Sequence, residues 1–287
     1  DRVPCDLWAV PELFAALRDH LGVRSDEEVR RALGIDMRWL VPDYVGQTAQ
    51  TYSDDAITDY FGIGQRKIDY GRGAYWETSH YPLASAESIA DISNHPWPKA
   101  KDWDYEAIAA QIAESDAQGE LWLGIGAGSF FERAWNMRGM ENFLVDLAAD
   151  PEFACALMDR LGEFYLEHTE RILQAASGRV DMLYTADDIG AQSGLIISLE
   201  MWRKYVMPRQ ASFNDHFKRK YGVKVFYHSC GAIEPIIPYL VDIGVDILNP
   251  LQFSAQGMDP VKIKRNFGDS LTFHGGIDVQ TTLATGS

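Results

Sequence analysis

Beyond about residue 119 the chain alternates short apolar runs with longer stretches in which apolar residues recur every three or four positions. The runs are Leu121-Trp122-Leu123-Gly124-Ile125-Gly126, Val180-Asp181-Met182-Leu183-Tyr184-Thr185, Val223 to Tyr227, Val245-Asp246-Ile247-Leu248-Asn249 and Leu271-Thr272-Phe273-His274. Each has the length of a buried strand. A helix is predicted from the Asp150-Pro151 start, with Phe153, Leu157, Leu161, Phe164, Tyr165 and Ile172 on one side. Ser198 caps another that runs to about Lys220, and Asp259-Pro260 opens one that Gly268 closes. Ile233, Ile236, Ile237, Leu240 and Val241 mark a helix that stops at Gly244, although Pro238 inside it predicts a kink or a shortening.

Upstream the pattern is less regular. Pro11 to Leu21 carries Leu13, Phe14, Leu17 and Leu21 at helical spacing, and residues 34–42 hold a first buried strand. Aromatics and glycines mix from Asp59 to Tyr81, which predicts hairpins and loops, with the aromatics from Tyr60 to Trp76 read as core. Asn94-His95-Pro96-Trp97-Pro98 stops any regular element. Strands alternating with helices across short loops imply a parallel sheet. Five such strands plus one near residue 37 make most of an α/β (β/α)8 barrel of the TIM type. The alternative, a doubly wound open sheet, lacks its glycine-rich phosphate fingerprint, because Gly124-Ile125-Gly126-Ala127-Gly128 has the wrong spacing. The expected organisation is one barrel domain over 1–287. Residues 1–100 form an N-terminal extension with the first strand, and 101–287 form the βα repeats, truncated before the last strand.

Composition narrows the partners. Asp and Glu number 42 against 26 Lys and Arg, a formal charge of −16 with no basic cluster, which argues against nucleic acid. The three cysteines, Cys5, Cys155 and Cys230, are far apart and odd in number, as expected of a reducing, cytoplasmic setting. No apolar run reaches membrane-span length, and no basic-then-apolar signal pattern opens the chain. Both ends, Asp1 and Thr285-Gly286-Ser287, read as cut.

The candidate chemistry lies at the strand ends. Lys224 to Gly231 places His228 and Cys230 two residues apart at the end of an apolar run. Side chains at i and i+2 of a strand point the same way, so imidazole and thiol project together. These are the two donors zinc favours most. Tyr184, Asp187-Asp188 and Gln192 belong to the preceding strand end, Asn249 and Gln252 to the next, and His274 with Asp278 to the last. In a barrel such ends converge on one mouth. Structural readings stand beside these: Asp187-Asp188 as loop or helix caps, Asn249 and Gln252 as loop hydrogen-bonders, Cys5 and Cys155 as inert thiols.

The chain resembles the uroporphyrinogen decarboxylase superfamily, and within it the corrinoid-dependent (cobalamin) methyltransferase branch. The resemblance runs over nearly the whole length. It rests on Asp1-Arg2-Val3-Pro4 with Asp6-Leu7-Trp8, Asp187-Asp188-Ile189-Gly190, Met201-Trp202-Arg203-Lys204-Tyr205 through Pro208-Arg209, His228-Ser229-Cys230-Gly231, Asp246-Ile247-Leu248-Asn249-Pro250 and His274-Gly275-Gly276-Ile277-Asp278.

The resemblance implies a zinc ion held by His228, Cys230 and a further cysteine near the last strand, which has no counterpart in these 287 residues. It implies methyl transfer between a corrinoid and a small substrate, either a thiol acceptor or a methyl donor such as a methyl ether or methylamine. Asp187 or Asp188 would complete the coordination or orient the substrate. Tyr184, Gln192, Asn249, Gln252, His274 and Asp278 would line the pocket. The corrinoid would arrive on a partner protein, and the barrels of this family often pair as homodimers. The decarboxylase branch uses an aspartate near the first strand and an arginine-rich N-terminal stretch, which Asp36 and Arg38 match poorly. A protein that only binds a corrinoid or tetrapyrrole is the non-catalytic alternative.

Overall fold

The computed structural model describes residues 2–47, 56–71, 73–116 and 118–285; Asp1, Gly286 and Ser287 of the motifs above lie outside them. Among the described residues, six parallel strands form one sheet: β1 (Met37–Leu40), β2 (Trp122–Gly128), β3 (Met182–Ala186), β4 (Lys224–His228), β5 (Ile247–Asn249) and β6 (Thr272–Phe273). Their spatial order is their sequence order, as in consecutive staves of a TIM-type barrel. These are the six strands that the apolar runs predict. His228 is level with Ala186 on one side and with Asn249 on the other, so three strand ends finish together.

The period-two alternation of the strands separates two cores. Met182, Phe226 and Ile247, joined by Met37, Trp39 and Tyr184, fill the concave inner face. The larger core lies between the sheet and its helices and includes Leu123, Ile125, Leu183, Val225, Tyr227 and Leu248. Each such side chain, fully buried, contributes roughly 1.5–3 kcal/mol. The N-terminal segment runs beside β1: the Asp36 N–H donates to the Cys5 carbonyl at 2.9 Å, and the Cys5 N–H donates to the Asp36 carboxylate at 2.6 Å. It carries Trp8 onto the inner face, with its ring 5.7 Å from Trp39, 5.5 Å from Tyr184 and 5.8 Å from Phe226.

The principal covering helices are α1 (Phe131–Arg138), α2 (Pro151–Ala175) and α3 (Met207–Tyr221). Asp150 caps α2 by accepting from the Phe153 N–H, as the sequence indicates. The helical run from Ser198 enters α3 through a wide π-type turn at Trp202–Val206. Pro208 has no N–H to offer one turn back, and such a turn absorbs the missing bond. Around Pro238 the expected helix is shortened. A 3-10 turn at Glu234–Ile236 precedes an α-helix at Ile237–Asp242, which leaves the proline in a first turn where its N–H is not needed. The predicted hairpin is Gly64–Asp69 paired with Ala74–His80. Its aromatics divide: Phe61 is wholly buried, whereas Tyr70, Tyr75 and Trp76 stand exposed, contrary to a core reading of the cluster.

Glu170 ties α2 to α3. It accepts from Lys220 Nζ and from the Tyr221 hydroxyl at 2.5 Å, with His216 Nε2 at 3.1 Å. Burial opposes its charge, but the hydrogen bonds from Lys220, Tyr221 and His216 win and bring the carboxyl down to about 2. The sign follows: a depressed carboxyl contributes stability that is complete above its unfolded pKa and is lost as pH falls through the folded value. Glu170→Gln is therefore expected to cost about 1 kcal/mol at pH 7, screening by solvent included, and to flatten the loss of stability between about pH 5 and pH 2. Urea midpoints of the two proteins across that range check this; parallel acid limbs would contradict it.

Candidate metal centre

Strand β4 ends on His228, and the chain then passes through Ser229 and Cys230 to a turn at Gly231. The alternation brings the ring and the thiol together: Cys230 Sγ lies 3.6 Å from His228 Nε2. Asp188, from the loop after β3, closes the group with Oδ1 3.7 Å from His228 Nε2. One donor atom from each of Asp188, His228 and Cys230 fits within 4.8 Å of the others. All three are part-buried.

The loops bearing these residues are locked to each other. Asp188 Oδ1 accepts from the Cys230 N–H at 2.8 Å, and Ser229 Oγ accepts from the Ile189 N–H at 3.0 Å. Gln252 Oε1 accepts from the Gly231 N–H at 2.7 Å. Gly190 and Gly231 meet backbone to backbone: a Cβ on Gly231 would stand 2.4 Å from the Gly190 carbonyl oxygen, and one on Gly190 would stand 2.6 Å from that of Cys230. Gly231 also has φ +82°, a left-handed conformation.

The electrostatics suit a cation. Burial, then the charge of Asp188 and its hydrogen bond, then Glu132, push the Cys230 thiol up to about 12. A thiol among carboxylates stays protonated unless a positive charge compensates, and a divalent ion does so by direct coordination. Sulfur, imidazole nitrogen and carboxylate oxygen are a donor set that zinc accepts, with a position left open for a further ligand. The residues present therefore fit a metal of that kind.

The two adjacent aspartates part company. Asp188 faces the group, whereas Asp187 is completely buried and turned to the N-terminus of α1. Its carboxylate accepts from Ser129 Oγ at 2.9 Å, from the N–H groups of Phe130, Phe131 and Glu132 at 3.3, 2.7 and 2.9 Å, and from Gln210 Nε2 at 2.8 Å. Burial pushes Asp187 up to about 7 even against the pull of these donors. It holds the helix that carries Glu132 in place, and does not reach the metal group.

The remaining sequence candidates fall into two sets. Asn249 is buried beside His228, with Oδ1 2.5 Å from His228 Nδ1, and its Nδ2 lies 2.7 Å from His274 Nδ1. The Tyr184 ring lies at a tilt beside that of His228, with the ring centres 5.9 Å apart. These three, with Gln252, surround the group. Gln192 is exposed, and its carbonyl accepts from the Gln256 N–H at 2.9 Å. Asp278 accepts from the N–H groups of Gln280, Thr281 and Thr282, capping the short helix at Thr282–Thr285 rather than lining the mouth.

Beside the group, between the ends of β1, β2 and β3, lies a cavity of about 570 Å3 whose walls include Tyr44, Tyr60, Trp103, Glu132, Arg133 and Tyr184. Glu132 links it to the metal group: burial and then the charge of Asp188 raise its carboxyl, with Arg133 and His228 pulling it down. Sequence reasoning missed Glu132, although a carboxylate in the first turn of a helix leaving β2 is the signal for it. Asp6, quoted only as part of a motif, also reaches this region, 3.4 Å from His274 Nε2.

Comparison with known proteins agrees with the architecture. No curated protein matches the chain. Among solved structures it is similar to a methyltransferase from Methanosarcina mazei, at 16% identity and a TM-score of 0.59, over 95% of this chain and 77% of that one. At that identity the likeness speaks for the fold. The sequence model of the family Uroporphyrinogen decarboxylase (URO-D) matches residues 60–287, and the chain belongs to that family.

Proposed function

We propose that this chain is a zinc-dependent methyltransferase that moves a methyl group between a corrinoid and a small substrate or thiol. The observation that carries the reading is the nitrogen, sulfur and carboxylate donors of His228, Cys230 and Asp188 gathered within 4.8 Å at the barrel mouth. Decarboxylation of a tetrapyrrole needs no such thiol. The similar solved structure from Methanosarcina mazei is a methyltransferase, which gives the reading a precedent on this fold. Zinc bound there would supply a Lewis acid that keeps a substrate thiol ionised near neutral pH, or polarises the leaving group of a methyl ether or methylamine.

The rest falls to the chain's own residues. Gln252 and Asp188 hold the Cys230 turn by its backbone, so the thiol has little freedom to leave the group. Tyr184 and Glu132 form the wall between the metal group and the cavity, and burial with the charge of Asp188 raises the Glu132 carboxyl there. A space of about 570 Å3 suits a small molecule. The corrinoid would therefore be presented at the mouth by a separate protein, in the cytoplasm if the free thiols reflect a reducing compartment.

Methyl transfer from methylcobalamin to small thiols, run beside uroporphyrinogen turnover, tests the reading. The expected result is thiol methylation that disappears on chelation and returns with zinc, with uroporphyrinogen unchanged. Carbon dioxide release from uroporphyrinogen by the metal-free protein would overturn it. So would tight corrinoid binding with no turnover of either substrate.

A further inference from the structure

His228 is connected to a buried carboxylate at the other end of the sequence. Its Nδ1 lies 2.5 Å from Asn249 Oδ1; Asn249 Nδ2 lies 2.7 Å from His274 Nδ1; and His274 Nε2 lies 3.4 Å from Asp6 Oδ2. The Asp6 side chain is only 3% exposed. Its Oδ1 accepts from the Leu7 N–H, and its Oδ2 meets His274 Nε2 at ion-pair distance, without a hydrogen bond of ordinary geometry. The Trp8 ring packs at a tilt against both histidines, 6.2 Å from His228 and 5.5 Å from His274.

Donor and acceptor chemistry gives this chain a direction. The negative charge of Asp6 beside Nε2 favours the His274 tautomer with its proton on Nε2, which leaves Nδ1 as an acceptor. Nδ1 then takes a hydrogen from the Asn249 amide, which fixes Asn249 Oδ1 toward His228. That oxygen can only accept, so His228 carries its proton on Nδ1. The lone pair of His228 is thereby placed on Nε2, the nitrogen that faces Cys230 and Asp188.

We propose that Asp6 is a positioning residue for the metal: acting through His274 and Asn249, it sets the tautomer and the ring orientation of His228. The proposal rests on the zinc reading above, but its two readouts separate them. Partners of this kind, hydrogen-bonded behind a metal-bound histidine, typically govern about 10- to 100-fold in metal affinity. Asp6→Leu, with the same branching and the same number of heavy atoms, removes the acceptor.

The test is zinc affinity by competition with a chromophoric chelator, together with the tautomer of His228 from long-range nitrogen–proton NMR, which needs no metal. Asp6→Leu is expected to weaken zinc binding about 10-fold or more and to shift His228 from the Nδ1–H form toward a mixture. Asp6→Asn, which keeps an acceptor and loses the charge, should fall between. If Asp6→Leu does not fold, Asp6→Asn decides alone: a weakening of about 3-fold or more supports the proposal. Wild-type affinity and an unchanged His228 tautomer in a folded Asp6 variant would overturn it. An unchanged metal-free wild type carrying Nε2–H would do the same. Failure of wild type to bind zinc, with the tautomer still responding to Asp6, would overturn the metal reading and leave the relay standing.

Discussion

Cys230→Ser is expected to abolish stable metal retention. The wild-type chain, loaded with zinc and dialysed, should keep about one ion per chain, since a structural or catalytic zinc is held by at least three protein donors. Serine is nearly the same size as cysteine but offers no soft anionic sulfur, so the loop should stay in place while the affinity falls. A ligand lost directly should cost more than the 10- to 100-fold typical of an outer partner, so the expected drop is about 100-fold or more. His228→Ala should act similarly. Asp187→Asn provides the contrast, because Asp187 is turned away to the α1 amides and should influence metal only through the fold. Elemental analysis after dialysis, beside a denaturation curve for each protein, reads both quantities. Equal zinc in wild type and Cys230→Ser would remove the thiol from the account.

The second large effect is one of backbone geometry. Gly231→Ala should destabilise the chain by about 3–5 kcal/mol, from the sum of left-handed strain and forced overpacking. The added methyl would meet the Gly190 carbonyl at 2.4 Å and its carbon at 2.5 Å, and backbone has no rotamer with which to yield. Gly178 supplies the control: it has the same φ of +82° but nothing within 4 Å of a built Cβ. Gly178→Ala should therefore cost only the conformational term, about 1–2 kcal/mol. The difference between the two variants in a urea titration isolates the contact between the loops after β3 and β4. Equal losses would mean that this contact does not hold the Cys230 turn.

Much of this arrangement was legible in the sequence because it depends on short-range periodicity. Five apolar runs and a residue-37 strand found their places in the sheet, and with them the convergence of His228, Asn249 and His274. Adjacent carboxylates are different. Asp187 and Asp188 share a loop, and which one turns toward α1 is decided by amides of residues 130–132, some 55 positions away in sequence. No local pattern contains that information. Asp6 was hidden for a related reason: the N-terminal stretch is extended without regular pairing, so neither helical nor strand periodicity announces that it lies along β1. Pro238 shows the opposite case, where a local rule was sound but the helix boundary was placed too early.

The most direct measurement of the central claim is X-ray absorption at the zinc edge of the loaded, dialysed protein. The account predicts one sulfur near 2.3 Å and nitrogen or oxygen neighbours near 2.0–2.2 Å, roughly the distances of thiolate, imidazole and carboxylate ligands, with the sulfur shell absent in Cys230→Ser. A wild-type spectrum with only oxygen and nitrogen neighbours would contradict it, because a metal there would not be bound by Cys230.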